Sequence, residues 1–121
     1  MALADYNKAI SLKQDYAEAY NNRGGAYDKK GEFDLAIADC KQAINLMPDT
    51  AEIYDTRGSA YEHKGEHDLA IADYNKAISL KPNLVETYIN RGKAYEHMGE
   101  HNRARADFKR AKELNGTKTQ N

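Results

Sequence analysis

Residues 17–50, AEAYNNRGGAYDKKGEFDLAIADCKQAINLMPDT, decide how this chain is read. The stretch returns as residues 51–84 with 20 of its 34 positions unchanged, and again, degraded at its end, from Val85 onward. Gly24, Gly58 and Gly92 keep that interval, as do Tyr27, Tyr61 and Tyr95, Gly31, Gly65 and Gly99, and Pro48 and Pro82. A period of 34 residues is that of a helix–turn–helix unit, which buries its apolar face only by stacking on copies of itself. The N-terminus joins the pattern, because ADYNKAISLK at residues 4–13 is identical to residues 72–81. The expected fold is all-α: a right-handed solenoid of antiparallel helix pairs with seven helices.

Apolar residues at 3, 6, 9, 10 and 12 have a helical period. Residues 1–16 therefore read as half a repeat, its second helix alone. Full repeats follow at 17–50, 51–84 and 85–116, and 117–121 form a polar tail expected to be disordered. Asp15, Asp49 and Asn83 precede helices expected at 16–30, 50–64 and 84–98, each with a glutamate three residues on: Glu18, Glu52 and Glu86. That spacing reads as a capping box. Gly31, Gly65 and Gly99 stop those helices, Asp34, Asp68 and Asn102 open the second helix of each pair, and Pro48 and Pro82 forbid its continuation.

Gly24, Gly58 and Gly92 are expected to face Ala36, Ala70 and Ala104, letting the paired helices approach closely. Cys40 takes the slot held elsewhere by Tyr6, Tyr74 and Phe108, so it reads as a small core residue rather than a reactive thiol. Leu35, Ile37 and Ile44, with Leu69, Ile71 and Ile78, should pack on the next repeat. In the last copy these positions become Arg103, Arg105 and Lys112, the polar terminal face a solenoid needs for solubility. The first helix has no such treatment. Ala2, Tyr6 and Ala9 expect a covering partner and form a candidate self-association face.

The net charge of −1 removes any bulk attraction to nucleic acid or anionic membranes. The basic final helix, with Arg103, Arg105, Lys109, Arg110 and Lys112, is explained by solubility rather than phosphate binding. No apolar run is long enough to span a bilayer, and residues 1–20 lack a signal peptide's apolar centre, so a cytoplasmic location is the default expectation. One cysteine excludes an intrachain disulfide.

The spaced Gly–Tyr–Gly–Ala–Tyr/Phe–Ala–Pro set resembles the tetratricopeptide repeat family. Its members here are Gly24, Tyr27, Gly31, Ala36, Cys40, Ala43 and Pro48, then Gly58, Tyr61, Gly65, Ala70, Tyr74, Ala77 and Pro82. The third copy has Gly92, Tyr95, Gly99, Ala104, Phe108 and Ala111, with Gly116 in place of proline. Tyr20, Tyr54 and Tyr88 stand where the family often has tryptophan, and Arg23, Arg57 and Arg91 where it often has leucine. The resemblance implies a superhelix whose first helices line a concave groove that binds a peptide or helix of a partner protein. It implies no cofactor. The carboxylate clamp known in the family needs Lys/Asn and Lys/Arg at positions where this chain has Asn21, Gly25, Thr56, Glu86 and Asn90; the basic members are missing and one is acidic, which argues against a chaperone-tail clamp.

Groove-facing positions are Asn21, Asn22, Gly25, Asp28 and Lys29 in the first repeat. They are Asp55, Thr56, Ser59, Glu62 and His63 in the second, and Ile89, Asn90, Lys93, Glu96 and His97 in the third. Four acids against two lysines make a mildly acidic, amide-rich groove, suited to a peptide with basic or backbone-donor character. Glu18, Glu52 and Glu86 border it, their role already given by capping. All four histidines lie in EHKGEH and EHMGEH, and stacking could bring His63 near His97 and His67 near His101. Each HxxxH crosses a glycine turn, and duplication explains the pairs, so no residue is assigned to a metal. Arg23, Arg57 and Arg91 with Asp5, Asp39, Asp73 and Asp107 read as a ladder of ion pairs between repeats, such as Arg57 with Asp39.

No nucleophile–base pair or phosphate loop appears, and the polar residues recur with the period, as scaffold positions do. The expected function is non-enzymatic: a protein-interaction module whose groove takes a peptide or helix. The alternatives are homo-oligomeric self-association through the first helix, or a consensus-like scaffold without a natural ligand.

Overall fold

The computed structural model describes residues 16–120. Six helices occupy them: α1 (Tyr16–Lys29), α2 (Phe33–Leu46), α3 (Ala51–Lys64), α4 (His67–Leu80), α5 (Val85–His97) and α6 (His101–Gln120). They form three antiparallel hairpins stacked in chain order, α1 with α2, α3 with α4 and α5 with α6. The expected seventh helix, at residues 2–12, lies outside the described residues.

The turn inside each hairpin follows from one glycine. Gly31, Gly65 and Gly99 have φ of +83°, +93° and +80°, a conformation an L side chain resists. With that residue left-handed, the next backbone N–H reaches back five residues: Glu32 to Tyr27 O at 2.9 Å, Glu66 to Tyr61 O and Glu100 to Tyr95 O, each at 2.8 Å. This closure satisfies carbonyls that the helix end leaves unpaired.

Helix starts differ from the expected capping box. α3 begins after Thr50 and α5 after Leu84, and neither residue makes a side-chain cap. Glu52 and Glu86 thus stand second in their helices, too early to reach back around the cap. Glu52 instead accepts from its own backbone N–H and from Lys81, and both hold its carboxyl below the ordinary range. The turns between hairpins are secured by tyrosines: Tyr54 Oη donates to Pro48 O at 2.9 Å and Tyr88 Oη to Pro82 O at 3.1 Å. Past Gly116, α6 continues to Gln120 in place of the expected tail. Gly116 is not left-handed, so it does not interrupt the helix.

Small residues set the core. Ala36, Ala43, Ala60, Ala70, Ala77, Ala94 and Ala104 are fully buried, and Cys40, Ile53 and Tyr74 fill the spaces between them. Gly58 faces the Tyr74 ring, since a Cβ there would lie 2.6 Å from Tyr74 Cε1, and Gly92 meets Phe108 at the same distance. Gly24 approaches the expected alanine, with Ala36 O 3.2 Å and Cys40 Sγ 3.1 Å from such a Cβ. Burial pushes the Cys40 thiol up to about 12, as its core reading requires.

Neighbouring hairpins join through Ile37 on Ala60 and Tyr61, Ile44 with Tyr54 and Ala77, and Ile71 with Ala94. Leu35 and Leu69, expected in the same contacts, are 46% exposed. They sit in the first turn of α2 and α4, at the hairpin edge beside Lys64 and Met98, too far out to be covered. Arg103, Arg105 and Lys112 are exposed on the last helix, as the terminal face requires.

The backbones of α1 and α3, and of α3 and α5, approach closely, whereas those of α2, α4 and α6 stay further from one another. Stacking is therefore tighter on the first-helix side, which makes the α1–α3–α5 face the inside of the curve.

Candidate functional site

The residues picked as groove-facing fall on α1, α3 and α5. Asn22, Lys29, His63, Lys93, Glu96 and His97 are exposed. Asn21, Gly25, Asp28, Asp55, Thr56, Ser59, Glu62, Ile89 and Asn90 are half-buried along the seams between helices. Ala2, Tyr6 and Ala9, the candidate self-association face, lie outside the described residues.

Three of the four expected groove acids are spent inside the protein. Asp28 accepts from Ser59 Oγ at 2.8 Å and meets His63 Nδ1 at 2.9 Å, tying α1 to α3. Asp55 accepts from Asn90 Nδ2 at 3.2 Å, tying α3 to α5. Burial pushes the Asp55 carboxyl up, against the opposing pull of the Asn90 amide. Glu62 binds two imidazoles, His67 Nδ1 at 2.7 Å and His97 Nδ1. Glu96 alone of the four keeps a half-exposed carboxylate, 3.6 Å from His101. The acidic character legible in the sequence is thus largely turned inward, and the Thr56 hydroxyl is likewise spent on Glu52 O.

The histidine pairing differs from the expected one. The rings of His67 and His97 approach to 5.5 Å between centroids, while His63 lies beside Phe33. His63 and His97 are equivalent positions on α3 and α5, and each meets the acid one repeat back, Asp28 and Glu62. His67, from the start of α4, leans across the turn onto the next repeat.

The arginine–aspartate ladder is also corrected. Arg23 pairs with Asp39, Arg57 with Asp73 and Arg91 with Asp107, each within one hairpin and through two parallel bonds of 2.7–2.8 Å. Asp39, Asp73 and Asp107 are buried, so the planar fork of arginine is the donor that fits. Asp5 lies outside the described residues. Each guanidinium also stacks on two tyrosines of its own helix: Tyr20 and Tyr27, Tyr54 and Tyr61, Tyr88 and Tyr95. The tyrosine and arginine positions singled out in the sequence thus form one unit, a stacked cation held over a buried carboxylate.

At the N-terminal ends of α1 and α3 an open cavity of about 620 Å3 lies between Ala17, Glu18, Asn21, Asn22 and a wall of Met47, Thr50, Glu52 and Ile53. Asn21 Oδ1 is buried there with no hydrogen-bond partner. A buried amide oxygen without a donor is costly, so Asn21 is the strained polar residue of the cavity wall. Met47, 46% exposed, supplies apolar surface beside it. The sequence reading missed Met47 and Ile53, because their neighbours across the turn are set by tertiary packing.

Comparison with known proteins matches the family pattern described as "TPR repeat" at residues 1–31 and 58–99. The one described as "Tetratricopeptide repeat" matches residues 17–50 and 85–118. The chain belongs to the tetratricopeptide repeat family. Among solved structures it is similar to MamA, at 35% identity and a TM-score of 0.85 over 98% of this chain and 70% of that one. It is similar also to the Arabidopsis OM64 TPR domain, at 27% identity and a TM-score of 0.82 over 87% of each chain. A third similar structure is the second TPR of Spaghetti (RPAP3) bound to the HSP90 peptide SRMEEVD, at 27% identity and 0.79, over 88% of this chain and 98% of that one. No curated protein matches.

Proposed function

We propose that the chain is a non-enzymatic interaction module whose α1–α3–α5 face binds an extended peptide of a partner protein, anchored in the cavity beside Asn21. The open cavity carries this reading, because the amides of Asn21 and Asn22 on its wall suit the backbone N–H and C=O groups that an extended segment always supplies. Met47 offers apolar contact for one side chain, and Glu18 and Glu52 on the same rim favour a basic residue beside it. That chemistry is unlike the acidic SRMEEVD held by the solved relative. At the positions where a carboxylate clamp needs Lys/Asn and Lys/Arg, this chain has Asn21, Gly25, Thr56, Glu86 and Asn90, with no cation among them.

The test is a fluorescence-polarisation screen of labelled heptapeptide libraries, one with a fixed arginine, one neutral, and SRMEEVD for comparison. Binding is expected from the arginine library, with Asn21→Leu weakening the selected peptide about tenfold, the equivalent of one lost buried hydrogen bond. Binding confined to SRMEEVD and indifferent to Asn21→Leu would refute the proposal.

A further inference from the structure

Glu62, His67 and His97 form a second constellation, apart from the Asn21 cavity. Their candidate ligand atoms all lie within 4.8 Å of one another, the only such group of three His, Cys, Asp or Glu among the described residues. The residues come from α3, α4 and α5 and so join the second hairpin to the third. Glu62 is the fixed member, its side chain 8% exposed and its two oxygens each turned to one imidazole. His67 is 32% and His97 60% exposed, which leaves both rings an open approach and room to turn.

We propose that this cluster binds a zinc-class divalent ion through two imidazole nitrogens and one carboxylate oxygen. Two nitrogens and an oxygen are a borderline donor set, suited to zinc or nickel and poor for calcium or magnesium, which seek oxygen. In a tetrahedral zinc site the ligand atoms stand about 3.3 Å apart. Small turns of the exposed His97 and half-exposed His67 rings bring the cluster to that spacing while Glu62 stays in place. A fourth position is left for water. The equivalent acids of the other two hairpins lack the set: Asp28 meets one imidazole, His63, with Ser59 as its second partner, and Glu96 meets His101 at 3.6 Å. The sequence hid this site because it pairs equivalent histidines of the two EHxGEH segments, whereas the ligating pair joins the second histidine of one segment, His67, to the first of the next, His97.

Isothermal titration of the whole chain with zinc chloride, at about pH 8 to keep imidazoles neutral, tests the proposal. Thermal unfolding in zinc and in calcium supplies a second readout. One zinc per chain is expected, with an unfolding midpoint that rises with free zinc and does not respond to calcium. His97→Ala and Glu62→Gln should each weaken zinc at least about tenfold, the loss that follows removal of even an outer partner of a metal ligand. His63→Ala should bind as the parent does. His97 is exposed, so its variant keeps the test open if Glu62→Gln fails to fold, with circular dichroism as the check. Absence of zinc binding, affinity unchanged in His97→Ala, or equal loss in His63→Ala would each overturn the assignment.

Discussion

The first two hairpins are built on one pattern, yet equivalent positions do different work. Asp28 on α1 reaches forward to Ser59 and His63 of the next repeat and stops there. Glu62, its equivalent on α3, is one methylene longer and holds His97 of the next repeat together with His67 of its own hairpin. In the first hairpin the residue matching His67 is Phe33, which packs on His63 and offers no ligand. Two differences, Asp28 against Glu62 and Phe33 against His67, thus convert a simple inter-repeat hydrogen bond into a three-ligand cluster. The helix-pair interior differs in the same way. Gly24 meets the small Cys40, and Gly58 meets the buried ring of Tyr74. The period fixes where side chains meet, and the individual residue decides what the meeting does.

The largest difference is expected from the glycines. A Cβ at Gly58 would lie 2.6 Å from a ring that is 1% exposed and has nowhere to withdraw. Gly58→Ala should therefore cost about 2–3 kcal/mol in urea unfolding, as overpacking does. Gly24→Ala, with 3.1 Å to a single sulfur and gaining the helix preference of alanine, should cost less than about 1 kcal/mol. Equal losses would mean that the Tyr74 ring is not the constraint.

Next come the arginine–aspartate units, where the hairpins should agree. Asp39→Ala and Asp73→Ala each strip a guanidinium that is 20% exposed of its two-bonded partner. Each should lose about 2 kcal/mol by the same measurement, less than a wholly buried pair. A double-mutant cycle should give coupling for Arg57 with Asp73 and none for Arg57 with Asp39.

Smaller effects belong to the junction acids. Glu62→Asp makes the second junction resemble the first by shortening the reach to His67, and about 1 kcal/mol should be lost with one hydrogen bond. A loss of 3 kcal/mol or more would show that Glu62 does more than this pairing.

Smallest is Asp55→Asn. The folded protein holds the Asp55 carboxyl above its unfolded value, so its contribution is full below the ordinary carboxylate range and falls as pH rises through the raised value. The variant should match or exceed the parent by a few tenths of a kcal/mol at neutral pH, an advantage that vanishes below about pH 4. An advantage that persists in acid would contradict the burial of that charge.

Much of the fold was legible because its signals are local. Gly31, Gly65 and Gly99 must be left-handed to close their turns, and no context overrides that. Starts of helices were less legible. Asp49 and Thr50 are both good caps, so the sequence alone does not fix which one begins α3, and one residue decides whether Glu52 can reach back. Partners across helices were the least legible. Arg57 has aspartates at equivalent positions in both neighbouring second helices, and only the crossing of α3 over α4 selects Asp73. The histidines posed the same degeneracy, and side-chain direction at the start of α4 resolved it toward His67 with His97. The Asn21 cavity needed the turn at Met47–Thr50 to be placed before its wall existed.

Titration of the 15N-labelled chain with the tightest peptide from the arginine library tests peptide recognition on the inner face most directly. Binding there predicts shifted amides and the shifted Asn21 side-chain amide on α1 and α3, around Asn22, Thr50 and Ile53, with the outer faces of α2 and α4 unmoved. Shifts confined to α2, α4 or α6 would contradict it.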